Sequence, residues 1–264
     1  MLELWHHGSS VCAAKVRLAL AEKGVEWTGH YVDILAGEQF DPAFLAINPR
    51  GAVPAIRHEG AIITESTVIC EYVDESFPGP ALRASTPLGR ARMRMWTKLV
   101  DEEVHPAVRP VTYVTTHRHA ILARGEEAVE EHIASDPHPL WRERKRRWIR
   151  EGFAAPDVAD AVGVFQRLVR SMDAALEGQE WLAGESYTLA DGALTPYANR
   201  LEMLGLEALW HDRPHFARWF AAVKARPSFG PALFAYLPDE LRERMRADGR
   251  RAQPEFRRLL ASLA

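Results

Sequence analysis

The feature that most constrains this chain is a change of hydrophobic rhythm at Pro78-Gly79-Pro80. Before it, short extended segments alternate with helices. After it, every apolar stripe has helical spacing. Leu2–Trp5 reads as a strand. Val11–Lys23 reads as an amphipathic helix with Val16, Ala19 and Leu20 on one face. Gly24 stops that helix, because glycine tolerates positive φ. Trp27, Tyr31 and Val32 favour extension and place a second strand within 26–34. Residues 39–47 read as a short irregular helix and Asn48-Pro49-Arg50-Gly51 as a turn. Residues 53–58 and 61–65 read as strands joined through Glu59-Gly60, and 66–76 as a helix.

The predicted order over residues 1–80 is therefore β-α-β-α-β-β-α. A second, all-helical domain is predicted over 89–264. Its stripes are Met93, Trp96, Val100 and Val104; then Val158, Val162, Phe165, Val169, Met172 and Leu176; then Leu194, Tyr197, Ala198 and Leu201; then Phe216, Trp219, Phe220 and Val223. A charged stretch over 124–157, with prolines at 137, 139 and 156, interrupts them. Residues 239–264 are highly charged and show no strong apolar stripe.

Bulk properties remove several function classes. A net charge of −3 does not suit a general nucleic-acid binder. The basic run Arg142–Arg150 is offset by Glu126, Glu127, Glu130 and Glu131, so it reads as a solvated face, and no nucleic-acid partner is expected. Two cysteines, Cys12 and Cys70, do not make a disulfide framework. MLELWHHG has no basic segment followed by an apolar core, so no secretory leader is expected. No apolar run approaches the ~18 residues that span a bilayer. A cytoplasmic protein without a membrane partner is the expectation. His6-His7 and His117-Arg118-His119 lack partner ligands at metal spacings, so no metal is expected.

Three segments carry chemistry. In "HHGSSVCAAKV", two serines and a cysteine stand where a helix starts. Ser9 or Ser10 can cap that helix. A helix N-terminus also stabilises an anion, and a thiolate held there beside a serine hydroxyl would form at lower pH than a free thiol. Cys12 reads either as a small buried hydrophobe or as a reactive thiol. In "INPRGAVPAI", proline sits poorly inside a sheet, and a cis Val53-Pro54 bond would expose the Val53 N–H and C=O to a bound peptide; the alternative is an ordinary trans proline at a strand start. In "TESTVICEY", Ser66 can cap a helix or grip a carboxylate, and Glu65 could hold an ammonium group.

Together and in this order, these segments resemble the glutathione transferase superfamily over almost the whole chain. The matching stretches are Ser10 at the first helix, "NPRGAVPAI", "TESTVICEYVDESFP" and "YTLADGALTPY". The resemblance implies an α/β thioredoxin-like N-terminal domain followed by an all-α C-terminal domain. It implies glutathione as co-substrate, with Ser10 hydrogen-bonded to its sulfur and Ser9 as the alternative. Val53, before a cis Pro54, would pair with the cysteinyl unit, Glu65 and Ser66 would hold the γ-glutamyl end, and Gln39 would meet the glycyl carboxylate. Thr188 would cap a helix, with Asp191 reaching back to its N–H. Family members usually form homodimers.

"INPRGAVPAIRHEGAIITESTVICEYVDESFP", "RARMRMWTKLVDEEV" and "EEHIASDPHPLWRERKRRWIREGF" are similar to the bacterial lignin β-etherase branch. Those enzymes use glutathione to displace a phenolate from the carbon beside a ketone. The electrophile would then lie on the helical domain facing Ser10, with Tyr113, His117 and Trp141 as candidate contacts. Ser10 stands where cysteine-type members place cysteine, which disfavours thioltransferase chemistry. Two alternatives remain: a glutathione-binding regulatory or stress protein with little turnover, and a thiol–disulfide reductase using Cys12.

Overall fold

In a computed structural model, residues 1–135 and 139–263 are described. Pro137, in the charged stretch, lies outside the described residues. The strands are β1 Leu2–His6, β2 Thr28–Tyr31, β3 Ala55–His58 and β4 Ala61–Thr64. The helices that open the chain are α1 Val11–Lys23, α2 Pro42–Leu45 and α3 Ser66–Ser76. Those that follow are α4 Pro87–Leu99, α5 His105–Thr112, α6 Arg118–Leu122, α7 Glu126–Ala134, α8 Pro139–Glu151, α9 Pro156–Ala175, α10 Leu189–Met203, α11 Pro214–Lys224, α12 Phe229–Leu233 and α13 Asp239–Ser262. The thioredoxin-like order predicted from the sequence is present, and the rest of the chain is helical.

The backbone packs into two compact units. One comprises residues 1–98, 175–198 and 218–238; the other comprises 99–174, 199–217 and the chain from 239 onward.

The first unit holds the sheet, in the order β2-β1-β3-β4. β1 and β2 are parallel, and β3 is antiparallel to both β1 and β4. The return from β3 to β4 needs positive φ at both turn residues, and Glu59 (51°) and Gly60 (84°) supply it. Helix α1 departs from the expected amphipathic pattern, because most of its residues are buried, with α3 and α12 packed against it. Its cations are buried as well. Lys15 Nζ donates to Thr67 Oγ1 at 2.7 Å, and Lys23 Nζ donates to the Asp74 carboxylate at 3.3 Å.

The same unit contains the helix cap expected at Thr188. Asp191 is fully buried. Its Oδ2 accepts from Thr188 N at 2.9 Å and Thr188 Oγ1 at 3.1 Å. Its Oδ1 accepts from Leu182 N at 3.0 Å and Trp219 Nε1 at 2.9 Å. One carboxylate thus ties the start of α10 to the preceding loop and to α11. Burial pushes its pKa up, while the four donors act in the opposite direction.

In the second unit, the α9 residues of the predicted stripe are buried. The charged stretch forms α7 and α8, which pack together. Arg150 pairs with Glu126 and, at 2.9 Å, with Glu130; Arg146 lies 3.5 Å from Glu130. Two of the four acids that offset the basic run in sequence, Glu126 and Glu130, therefore meet it in space. Two π-helical turns, Val100–Val104 and Tyr113–His117, flank α5. Pro106 follows the first, and a proline removes an N–H and crowds the preceding turn. The charged C-terminal segment is the 24-residue helix α13, with a sparse buried stripe of Met245, Gly249, Ala252 and Phe256. Its core face is hidden in the sequence because one position is a glycine. A Cβ at Gly249 would lie 2.3 Å from the Leu204 carbonyl oxygen.

Replacing Asp191 with alanine leaves four buried donors without an acceptor. The expected loss of unfolding free energy is about 3 kcal/mol or more. Chemical denaturation measures it, and a loss below about 1 kcal/mol would show that the carboxylate is dispensable.

Candidate functional site

Three segments of the first unit meet at one end of the sheet. Trp5 of β1 lies opposite Ala55 of β3, and Ala55 lies opposite Thr64 of β4. At that end β1 leaves toward Ser10, β3 enters from Val53-Pro54, and β4 leaves into Glu65. The register therefore brings Ser10, Val53, Pro54, Glu65 and Ser66 to a single edge. β2 runs parallel to β1 and exits at the same end, with Tyr31 opposite His6. The following loop carries Gln39 back to the group, because a Cβ at Gly51 would lie 3.1 Å from the Gln39 carbonyl oxygen and 3.0 Å from the Phe40 ring.

The two serines have different partners. Ser10 caps α1 from an extended conformation, and its Oγ accepts from Ala13 N at 3.1 Å. That bond uses a lone pair and leaves the hydroxyl hydrogen to donate at the positive end of the helix. Ser9 instead faces His7. His7 Nδ1 is 3.2 Å from Ser9 N and 2.9 Å from Ser9 Oγ, and His7 Nε2 is 3.8 Å from Asp33 Oδ1. A backbone N–H can only donate, so Nδ1 is the acceptor and the ring proton belongs on Nε2, facing Asp33. The Ser9 hydroxyl accordingly points its hydrogen at the ring. Cys12 Sγ lies 3.8 Å from Tyr197 Oη.

The Val53-Pro54 peptide bond is cis. Asn48 shapes the turn before it: Nδ2 donates to Ala52 O at 2.7 Å, and Oδ1 accepts from Arg50 N at 3.1 Å. At the other flank, Glu65 has φ 68° and ψ 108°, an uncommon setting for a non-glycine residue. The sequence reading made Ser66 the cap of α3; the structure corrects this. Ser66 is the first helical residue and Glu65 holds the cap position, with no side-chain hydrogen bond to the helix. The start of α3 therefore has no capping side chain from its own N-cap residue. Glu65 is ion-paired with Arg50 at 2.5 Å. Gln39 Oε1 is buried and lacks a hydrogen-bond partner among the described residues.

A cis-proline turn facing two helix N-termini across one sheet edge suits a short anionic peptide. Comparison with known proteins agrees. Residues 9–76 match the glutathione S-transferase N-terminal domain and residues 146–227 the C-terminal domain. The protein LigF of Sphingobium sp. is 33% identical over 86% of this chain and 91% of its own. The chain belongs to the glutathione S-transferase family. The LigF crystal structure, described as a β-etherase, superposes with a TM-score of 0.75 over 88% of this chain and 98% of that one. Maleylacetoacetate isomerase of Pseudomonas aeruginosa is 31% identical over 90% of this chain and 98% of its own. Glutathione is the co-substrate of the family, and this transferase is an enzyme of that type.

The predicted electrophile contacts of the transferase, Tyr113, His117 and Trp141, lie in the second unit. Tyr113 is buried and its Oη is 2.8 Å from His132 Nε2. Its ring is 5.6 Å from His117 and 5.3 Å from Trp148. Trp141 lies 6.1 Å from Trp148, with the Arg109 guanidinium 4.0 Å above its ring. The three residues therefore belong to one aromatic cluster. Sequence reasoning missed Trp148 and His132 in it, and missed His7, Asn48, Arg50 and Tyr197 at the sheet edge. An Asx-type turn at "NPRG" could have flagged Asn48; nothing local flags the others. Among the described residues, no group of three or more His, Cys, Asp or Glu side chains could hold a metal, and no helix is long and apolar enough to cross a membrane.

His6, at the end of β1, is enclosed by Trp27, Tyr31 and Tyr236. Burial and the nearby Arg17 lower its pKa to about 4. A histidine depressed in the folded state contributes stability that is present above about pH 6.5 and lost as pH falls toward 4. Denaturation midpoints should fall between these limits, by about 1–2 kcal/mol of stability attributable to this ring. His6→Asn should flatten that part of the profile; an unchanged slope would mean that another group controls it.

Proposed function

We propose that this chain ionises the thiol of glutathione at the N-terminus of α1 and directs the thiolate at a hydrophobic, aromatic electrophile. The observation that carries the reading is the difference between the serines: Ser10 retains a donor at the helix terminus, whereas Ser9 is engaged by His7. In this reading Ser10 donates to the sulfur, the Val53 backbone pairs with the cysteinyl unit, and Ser66, at the start of α3, receives the γ-glutamyl carboxylate. Glu65 binds the ammonium, and Gln39 turns its side-chain amide toward the glycyl end. Rate comes from supplying a nucleophile already ionised at neutral pH and from holding it near its target.

The electrophile we assign is a β-aryl ether beside a ketone, supported by the 33% identity to LigF. The thiol first releases its proton to solvent. The thiolate then forms a C–S bond to the carbon next to the ketone as the C–O bond breaks, and the departing phenolate takes up a proton. A homodimer is the proposed assembly, supported by the exposed Ile62, Val68, Leu88 and Met95 of the first unit. A light-scattering mass of one chain would overturn it.

Ser10→Ala should raise the pKa of bound glutathione by about 1 unit or more and slow conjugation by about 10–100-fold, while still binding glutathione. Ser9→Ala and Cys12→Ala should retain most of the rate. Ultraviolet thiolate titration and steady-state kinetics on an aryl ether and an aryl halide read these effects. Loss of activity in Cys12→Ala alone would favour the reductase alternative, and an unshifted thiol in the unmodified protein would favour binding without turnover.

A further inference from the structure

Arg17 is a buried cation that pairs with no carboxylate among the described residues. It is 2% exposed, two helical turns beyond Ser10 on α1. Side chains of a helix lean toward its N-terminus, and this one reaches back under the Gly8–Ser10 turn. Nε donates to Ala232 O at 2.7 Å, Nη1 donates to His7 O at 3.2 Å, and Nη2 lies 3.3 Å from Gly8 O. Nη1 is also 3.4 Å from His6 Nδ1, and the guanidinium carbon is 5.2 Å from the Tyr236 ring centre. The His7 carbonyl that accepts from Arg17 also accepts from Ser10 N at 3.2 Å. Arg17 is therefore two hydrogen bonds from the proposed thiolate donor. The turn is pinned from the other side too, since a Cβ at Gly8 would lie 1.8 Å from the Tyr236 carbonyl oxygen.

The titratable groups around this guanidinium are His6 on β1, Tyr31 on β2 and Tyr236 after α12, with His7 in the turn itself. Burial lowers the arginine pKa only to about 10, so it remains charged at neutral pH. Isolated buried charges are costly and normally paired. Here the positive end of α1 and the Arg17 charge both adjoin the Ser10 turn, Arg17 from behind it, so both favour a negative sulfur held at that turn.

We propose that Arg17 is a positioning residue for the glutathione thiolate: it orients the Ser9-Ser10 turn through the His7 and Gly8 carbonyls and supplies an uncompensated positive charge that favours ionisation of the bound thiol. The proposal rests on the transferase reading above. The test is the ultraviolet titration of bound glutathione in Arg17→Gln and Arg17→Lys, with circular dichroism as the check of folding. Gln should raise the bound-thiol pKa by about 1 unit, toward the free value of about 8.5. Lys, which keeps the charge but cannot reach all three carbonyls, should keep most of the depression. A depressed thiol pKa in the unmodified protein that is unchanged in a folded Gln variant would overturn this inference and leave the transferase reading intact. No depression in the unmodified protein would instead defeat that reading. Should Gln fail to fold, Arg17→Met, which keeps the apolar stem without the charge, is read the same way: a raised bound-thiol pKa supports the inference and an unchanged one overturns it.

Discussion

The double antiparallel pairing of β3 is the constraint on which the rest of the first unit depends. Ala55 is flanked by Trp5 on one side and Thr64 on the other. A one-residue slip on either side would move every side chain of that strand to the opposite face. It would also separate the turn before Pro54 from the ends of α1 and α3. The assembly of the proposed site is thus a property of strand register, in which three segments far apart in sequence end at the same place. No side-chain contact between them is needed to bring them together.

That edge is electrostatically one-sided at its centre. α1 points its N-terminus there, α3 does the same without a capping side chain, and Arg17 lies buried behind the turn. Helix dipoles lose their effect within about a turn of the terminus, so such an arrangement acts only on groups bound directly at it. The countercharge is local and exposed: Glu65 pairs with Arg50 at the rim, where solvent reduces the strength of an ion pair. A ligand with an internal carboxylate, ammonium and thiol fits this distribution better than a simple anion does. The uncommon backbone at Glu65 belongs to the same design, since it places a carboxylate beside a helix terminus that it does not itself cap.

The sequence disclosed those parts that depend on local patterns. Helices α1 and α3 have the limits that their apolar spacing and stop signals predicted. The Thr188–Asp191 bonds follow from residue types three positions apart, and a serine cap on α1 from the two serines at its start. What stayed hidden depends on neighbours distant in the chain. Nothing local marks Arg17 as buried, because its cover comes from Ala232 and Tyr236, far along the chain. Ser9 and Ser10 cannot be told apart until the His7 ring takes one of them. Helix α13 is long and well packed, yet a stripe that uses Gly249 and Ala252 for close approach carries little hydrophobic signal. The β-hairpin and the "NPRG" turn were legible because glycine and asparagine are demanded by the backbone itself.

The division between legible and hidden residues bears on how function varies within such a fold. The proposed glutathione contacts are largely main-chain groups: the Val53 amide and carbonyl, and the N-termini of two helices. Their positions follow from register and helix limits, so many sequences can preserve them. Electrophile recognition has no comparable backbone template. The aromatic cluster of Tyr113, Trp141 and Trp148 is built from side chains, and the π-helical turn at Tyr113–His117 directs one part of it. Insertion of a π-helical turn rotates every following side chain relative to a regular helix. A single inserted residue can therefore re-aim a whole face. Relatives that share the fold can consequently differ in the second substrate while retaining the first, because side-chain changes around such a turn leave the sheet edge untouched.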